Sequence, residues 1–292
     1  MRVAVFGAAG YIGRHLVARL GSDGATVLPF SSAQDGVFDP ISGLLLESFE
    51  LPVGTDAVIY LSQSPQFRQM PSQASHLWGV NVLSAMRAAN LARKVGARRF
   101  LYASTGNVYA PSFAPLTENQ PLRRDDWYAL SKIHAEESLA LFHADMHVLS
   151  VRIFGVYGPG QVNRLVPNLV QTMRSDLPVT LAGQPGAVLN DGGLRVSLCF
   201  IEDLVDIFVR LVRQDTVGVM NIAGPDAVSI RDMAQTIGEY IGRHAQFEPA
   251  TQPRRFDLIA DVTKLVQLCQ PQFTPFETGL RAMLGPHQAC QP

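Results

Sequence analysis

Short apolar runs alternate with stripes of helical spacing through the first half of the chain. Residues 3–6 are apolar without a break, the pattern of a strand buried on both faces. Residues 11–20 then set Ile12, Leu16 and Leu20 on one face of a helix. Further strands are expected at 25–30 and at 57–61, the latter entered from Gly54-Thr55-Asp56. Helical spacing returns over 73–95, where Leu77, Val80, Ser84, Ala88, Leu91 and Val95 share one stripe. A strand at 99–103, a helix at 126–142 and a strand at 148–153 complete this half, with Asp125 or Asp126 placed to cap the helix. Strands that alternate with helices pair in parallel, and the helices cover both faces of the sheet.

The second half has a different texture. Residues 155–160 are rich in Gly and Pro and read as a loop. Helices are expected at 162–173, 202–212 and 230–241, a short strand at 219–222, and a Gly-rich hairpin-like stretch at 182–193. The expected organisation is one unit over residues 1–155, with 195–222 returning to its sheet. Residues 156–194 and 223–292 then form a smaller, discontinuous lobe.

Composition narrows the classes. At about 150 residues per domain, 292 residues suggest two lobes. A net charge of -1 and 47% apolar residues exclude a disordered chain and argue against a nucleic-acid binder that needs a strong positive field. Cys199, Cys269 and Cys290 form neither a disulfide scaffold nor a zinc spacing. No apolar run is long enough to span a membrane. The first residues superficially resemble a signal peptide, yet Gly7, Gly10 and Gly13 recur at a fixed spacing that such a segment has no use for. A cytoplasmic, reducing setting is therefore expected.

Three segments carry chemistry. Gly7-Ala8-Ala9-Gly10-Tyr11-Ile12-Gly13 leaves a strand and opens a helix. Glycine allows a tight turn, and the free N–H groups at the helix start stabilise an anion such as a pyrophosphate. Tyr128-Ala129-Leu130-Ser131-Lys132 puts Tyr128 and Lys132 on one helical face. A free tyrosine has a pKa of about 10, and a neighbouring cation lowers it, which makes Tyr128 a candidate acid/base. Tyr102-Ala103-Ser104-Thr105-Gly106-Asn107 lies at a strand's carboxyl end, where open α/β sheets bind ligands. His143 and His147 lack a supporting ligand cluster, so no metal is expected.

Together these residues resemble the extended short-chain dehydrogenase/reductases, in the NAD-dependent epimerase/dehydratase group that acts largely on nucleotide sugars. GAAGYIG, DAVIYLSQ, GVNVLSAMRAA, RRFLYASTGNVYA, YALSK, VRIFGVYGPGQ, CFIEDLVD, NIAGPDAVSIRDMA, DVTKLVQL and FETGLRAMLG carry the resemblance over nearly the whole chain. It implies a Rossmann-type doubly wound parallel sheet with a smaller, discontinuous C-terminal α/β substrate lobe. It implies a catalytic Thr105, Tyr128 and Lys132, with Lys132 binding the nicotinamide ribose and lowering the Tyr128 pKa. Gly7, Gly10, Tyr11, Ile12 and Gly13 would hold the cofactor's phosphates, Asp39 would lie near the adenine, and Leu61 and Ser62 along the ribose. Asn81 belongs to the cofactor set, and Phe154 and Val156 would flank the nicotinamide. Gln63, Thr105, Arg195, Arg254 and Arg255 are assigned to the substrate, the arginines near its diphosphate. A homodimer through the helices at 73–95 and 126–142 is also implied.

Three departures qualify the resemblance. No acid stands after the second strand. Ser31 and Ser32 with Arg14 instead suit a 2′-phosphate, so NADP is expected ahead of NAD, although Arg14 is also readable as a solvated helix residue. Gly106-Asn107 stands where dehydratases of the group carry Asp-Glu, so dehydration is not expected. Gly155 replaces an Asn that holds nucleotide sugars. The leading reading is an epimerase or 4-ketoreductase of a nucleotide-activated sugar. A reductase of a small carbonyl compound and an NADP-sensing regulator stay open beside it.

Overall fold

A computed structural model describes residues 1–34, 36–186 and 191–285. Part of the hairpin-like stretch expected at 182–193 and Cys290 lie outside the described residues. Among these residues the first five strands are β1 (Arg2–Phe6), β2 (Thr26–Phe30), β3 (Ala57–Tyr60), β4 (Arg99–Thr105) and β5 (His147–Ile153). With β9 (Gly218–Ile222) they form one six-stranded parallel sheet in the order β2-β1-β3-β4-β5-β9. The order reverses between β1 and β3, which opens a crevice at the carboxyl ends of the strands.

The unbroken apolar runs result from burial on both faces. Val3 and Val5 enter one core with Leu16 and Leu20 of α1 (Tyr11–Ser22), while Ala4 and Phe6 enter the opposite core. Burial of each such Leu or Phe contributes about 1.5–3 kcal/mol. The stripe predicted over 73–95 is broken into α2 (Ala74–Trp78), a π-helical turn (Gly79–Leu83) and α3 (Ser84–Lys94). A Cβ on Gly79 would stand 2.2 Å from the Ser42 carbonyl oxygen, so the helix meets a loop where a glycine is required. The wider turn rotates α3 relative to α2, burying Ala85, Ala89 and Ala92 and leaving Leu91 and Val95 half-buried. α4 (Trp127–Ala140) is capped by Asp126, whose carboxylate accepts from the Ala129 N–H at 2.9 Å.

The segment expected to return to the sheet does so only in part. β6 (Gly155–Tyr157), β8 (Arg195–Phe200) and β10 (Ala227–Ser229) make a separate three-stranded sheet. α5 (Leu165–Arg174), β7 (Val179–Leu181), α7 (Ile230–Ile241) and β11 (Phe247–Pro249) pack beside it. α6 (Ile201–Leu211) lies against α1, where the Arg19 guanidinium meets Asp206 at 2.6 Å. α8 (Thr263–Cys269) and α9 (Phe276–Leu284) close the described chain. No helix among the described residues is long and apolar enough to cross a membrane.

Candidate active site

A cleft of about 980 Å³ runs along the carboxyl ends of the parallel strands. Its floor begins at the loop between β1 and α1. The N–H groups of Gly7 and Ala8 both donate to the Phe30 carbonyl, at 2.8 and 3.0 Å, which ties the loop to β2. Gly7 has φ +83°, and a Cβ on it would lie 2.8 Å from the Ser62 nitrogen. A Cβ on Gly13 would lie 2.1 Å from the Gly7 carbonyl oxygen. No side chain caps the start of α1, so its first N–H groups face the cleft unspent. The buried Tyr11 hydroxyl has no protein partner among the described residues, and burial pushes its pKa up to about 12. An uncapped helix start and a protonated orphan donor beside it fit the pyrophosphate of a dinucleotide.

Ser31, Ser32 and Asp39 line the same end of the cleft. The Ile41 N–H, donating at 2.8 Å, holds the Asp39 carboxyl below the usual range. Arg14 does not line the cleft. Its guanidinium donates to the Gly160 carbonyl at 2.8 Å and lies 5.0 Å over the Tyr11 ring. The 2′-phosphate contact expected of Arg14 is therefore corrected, since Gly160 and Tyr11 hold that side chain elsewhere. Leu61, Ser62, Phe154 and Val156 line the cleft as expected. Asn81 is fully buried behind the wall instead. Its side-chain oxygen Oδ1 accepts from the Ser64 N–H at 3.2 Å and its Nδ2 donates to the Ser131 hydroxyl at 3.0 Å, so it braces the wall and does not form its surface.

Thr105 ends β4 and faces the cleft, its hydroxyl accepting from the Asn107 N–H at 3.2 Å. Tyr128 and Lys132 stand one turn apart on α4 and line the cleft with it. The Tyr128 hydroxyl donates to the Gln63 amide oxygen at 2.9 Å. Lys132 donates to the Ala103 carbonyl at 2.8 Å and sits 4.8 Å from the Tyr102 ring centre. Burial lowers the Lys132 pKa to about 7, opposed by the nearby Glu136 charge. Burial also pushes Tyr128 up to about 12, outweighing the hydrogen bonding of Thr105 and the charge of Arg164. The lowering of Tyr128 by Lys132 is thus absent in this arrangement: desolvation dominates both groups, and Tyr128 stands as a protonated donor.

Behind β4 lies a buried network that spacing did not reveal. Ser104 donates to Glu136, and Glu136 holds Arg152 through contacts of 2.6, 3.1 and 3.2 Å. Arg152 also donates to the Glu118 carbonyl at 3.1 Å and lies 4.8 Å over the Tyr109 ring. The available signal was a lone arginine inside the apolar run of β5.

The substrate assignments divide. Gln63 and Thr105 line the cleft, whereas Arg195, Arg254 and Arg255 do not. Arg195, the first residue of β8, is exposed, while the residues that follow it are buried on both faces of the strand. Arg254 is buried in ion pairs with Asp191 and with Asp257, the latter at 2.8 Å. A Cβ on Gly155 would stand 2.6 Å from Leu198 Cδ2, so a side chain at that position requires Leu198 to shift. Arg68, His76 and Arg164 line the cleft and lie outside the quoted motifs, and Gln161, which ends VRIFGVYGPGQ, lines it with them.

The crevice, its glycine loop and the Thr105–Tyr128–Lys132 group define an α/β protein built around a dinucleotide site. Residues 3–223 match the NAD dependent epimerase/dehydratase family, and the chain belongs to that family. Among curated relatives, UDP-glucuronic acid decarboxylase 2 of Arabidopsis thaliana is 30% identical, over 92% of this chain and 64% of that protein. The chain thus spans less than two thirds of that relative's length. The dTDP-4-dehydro-6-deoxy-D-allose reductase of Streptomyces bikiniensis is 27% identical, over 95% of this chain and 93% of its own. Among solved structures, TunA, an NAD-dependent NDP-hexosamine 5,6-dehydratase of tunicamycin biosynthesis, is 26% identical with a TM-score of 0.78, covering 97% and 96% of the two chains. Decarboxylase, reductase and dehydratase all stand among the relatives, so family membership does not separate the reaction types.

Proposed function

We propose that this chain is an epimerase or 4-ketoreductase of a nucleotide-activated sugar, with Tyr128 as the acid/base and Thr105 as its partner on the same oxygen. The observation that carries the reading is the protonated Tyr128 hydroxyl in the cleft, on one wall with Thr105 and Lys132. The bound nicotinamide supplies the hydride chemistry. Tyr128 gives its proton to the sugar's carbonyl oxygen as that carbon is reduced, and takes it back in the reverse direction. Thr105 hydrogen-bonds the same oxygen. Lys132 returns positive charge toward the phenol once a ligand draws it from the Ala103 carbonyl. We take the cofactor to be NAD: among the described residues no cation lines the cleft beside Ser31 and Ser32, and Arg14 is held by Gly160.

Tyr128→Phe tests the reading. Turnover of UDP- and dTDP-linked sugars is expected to fall about 10²–10⁴-fold, the usual worth of a positioned acid/base, with NAD binding intact. Full turnover in the variant would remove Tyr128 from this role. The rival reading, a reductase of a small carbonyl compound, draws support from the three arginines that lie off the cleft. Tight binding of UDP or dTDP by the wild-type chain would count against that rival.

A further inference from the structure

The Tyr128 proton is held by a side chain of the cleft. The phenol donates to the Gln63 amide oxygen at 2.9 Å, and both residues line the cleft. Gln63 sits three positions beyond the end of β3. Its neighbour Ser64 is fixed on three sides. The Ser64 N–H donates to Asn81 Oδ1 at 3.2 Å, and its hydroxyl meets His76 Nδ1 at 2.8 Å and accepts from the Gln66 N–H at 3.2 Å. Asn81 also donates to the Ser131 hydroxyl at 3.0 Å, and Ser131 donates to the Tyr128 carbonyl at 2.8 Å. Phe67, from the same loop, packs 5.2 Å from the Tyr128 ring. One buried asparagine thus ties the loop that carries Gln63 to the helix that carries Tyr128. The contact between the two side chains is built into the fold.

That contact limits what the site accepts. A phenol has one proton to donate. When Tyr128 turns it toward a carbonyl oxygen, the Gln63 oxygen loses its donor. Gln63 is half-buried, and an acceptor left without a donor there is costly. The favoured ligand therefore brings a donor of its own. That donor has to stand beside the reacting carbonyl, because the Gln63 oxygen lies within 2.9 Å of the same phenol. A hydroxyl on the adjoining carbon meets this need. It can also accept from the N–H groups of the same amide, so one glutamine reads it in both senses.

We propose that Gln63 is a specificity-determining residue that reads the hydroxyl on the carbon next to the reacting carbonyl, so that the site prefers α-hydroxy carbonyl compounds to simple ones. The inference rests on Tyr128 as the acid/base and holds for a sugar and for a smaller substrate alike. In a 4-keto sugar the hydroxyl concerned is the one on C3.

The test compares ligand pairs that differ by that hydroxyl, on the full chain. UDP-glucose and dTDP-glucose are each titrated calorimetrically beside their 3-deoxy analogues with NAD present, and reduction of acetoin by NADH is compared with that of butanone. Wild type is expected to favour the hydroxyl-bearing member about 10- to 100-fold in each pair that it binds or reduces. Gln63→Met, of similar length but without the amide, is expected to abolish that preference. Gln63→Glu, which keeps an acceptor oxygen, is expected to retain it. Gln63 is half-buried and bonds through its side chain to Tyr128, so the fold survives either change, and thermal melting checks this. The same preference in wild type and in Gln63→Met would overturn the inference alone, because another group would then read the hydroxyl. A wild type that treats both members of every pair alike would also overturn it. Tyr128→Phe is expected to cut reduction of acetoin and of butanone together. Full turnover in that variant would defeat the acid/base reading, and this inference with it. Wild-type protein that neither binds nor reduces any of these compounds would defeat the α-hydroxy carbonyl class itself.

Discussion

The two walls of the cleft are built in different ways. The dinucleotide wall is made by local spacing: a glycine loop between β1 and α1, and two residues one turn apart on α4. The facing part of the molecule is made by pairings distant in sequence, such as β6 with β8 at the cleft and, away from it, Arg254 with Asp191, 63 positions away. A spacing of three or four residues fixes which side chains share a face once the element forms. A charged residue in the second half carries no such constraint, because its partner comes from wherever the chain returns. Both regions share one vulnerability behind the cleft, a buried arginine whose partners are carboxylates.

That shared feature gives the largest expected effect. Replacing Glu136 with leucine strands Arg152 beside β4, and replacing Asp257 with leucine removes one partner of Arg254. Leaving a buried charge uncompensated costs about 3–5 kcal/mol. Chemical denaturation is expected to register the full cost for Glu136→Leu, whose side chain is almost wholly buried with Arg152. A smaller cost is expected for Asp257→Leu, because Asp191 still pairs with Arg254. Equal losses would erase the difference between the two networks.

The next effect sharpens the dinucleotide wall through pH. Burial lowers Lys132 from 10.5 to about 7, so between those values the unfolded chain binds the proton that the folded chain has released. Stability is therefore expected to rise with pH from about 7 toward 10, by no more than about 1.4 kcal/mol per unit for this group. Lys132→Met is expected to flatten that part of the profile in denaturant titrations of the ligand-free protein. An unchanged slope in the variant would mean that another group titrates there.

A smaller effect concerns Asp126, which caps α4 and so sets the start of the helix that carries Tyr128 and Lys132. Asp126→Ala is expected to cost about 1 kcal/mol in denaturant titration. Arg123, 3.3 Å from the same carboxylate, loses only a partly exposed contact. Substantially larger destabilisation would show that the entry to α4 bears more than its cap.

These effects track what was legible in the sequence. The parallel pairing of the first strands, a cap on α4 from Asp125 or Asp126, and the shared face of Tyr128 and Lys132 came from period and spacing, while Thr105 was singled out by the resemblance. The π-helical turn at Gly79 did not, because its cause is the Ser42 carbonyl in another loop. Arg195 was misplaced for a related reason. It opens β8, whose later residues are buried on both faces by elements distant in sequence, and it stays exposed at the strand's start, away from the cleft. Arg68 and Arg164 sit in no periodic element, so only the assembled cleft brought them into view.

Arg14 gives the smallest expected effect and the sharpest contrast between reading by proximity and reading by geometry. It lies next to Gly13 in the glycine loop, while the two serines that would complete a 2′-phosphate site follow β2. The fold sends its guanidinium to Gly160 and the Tyr11 ring instead. Arg14→Ala is therefore expected to leave the ratio of NAD to NADP affinity unchanged, while lowering stability by about 0.5 kcal/mol at most, as for other exposed sites. Fluorescence titration with both reduced cofactors measures that ratio directly. A fall in NADPH affinity of about 10-fold or more, the size of one lost charge-assisted bond, would mean that Arg14 leaves Gly160 when the cofactor enters. The dinucleotide wall would then depend on rearrangement as well as on local spacing.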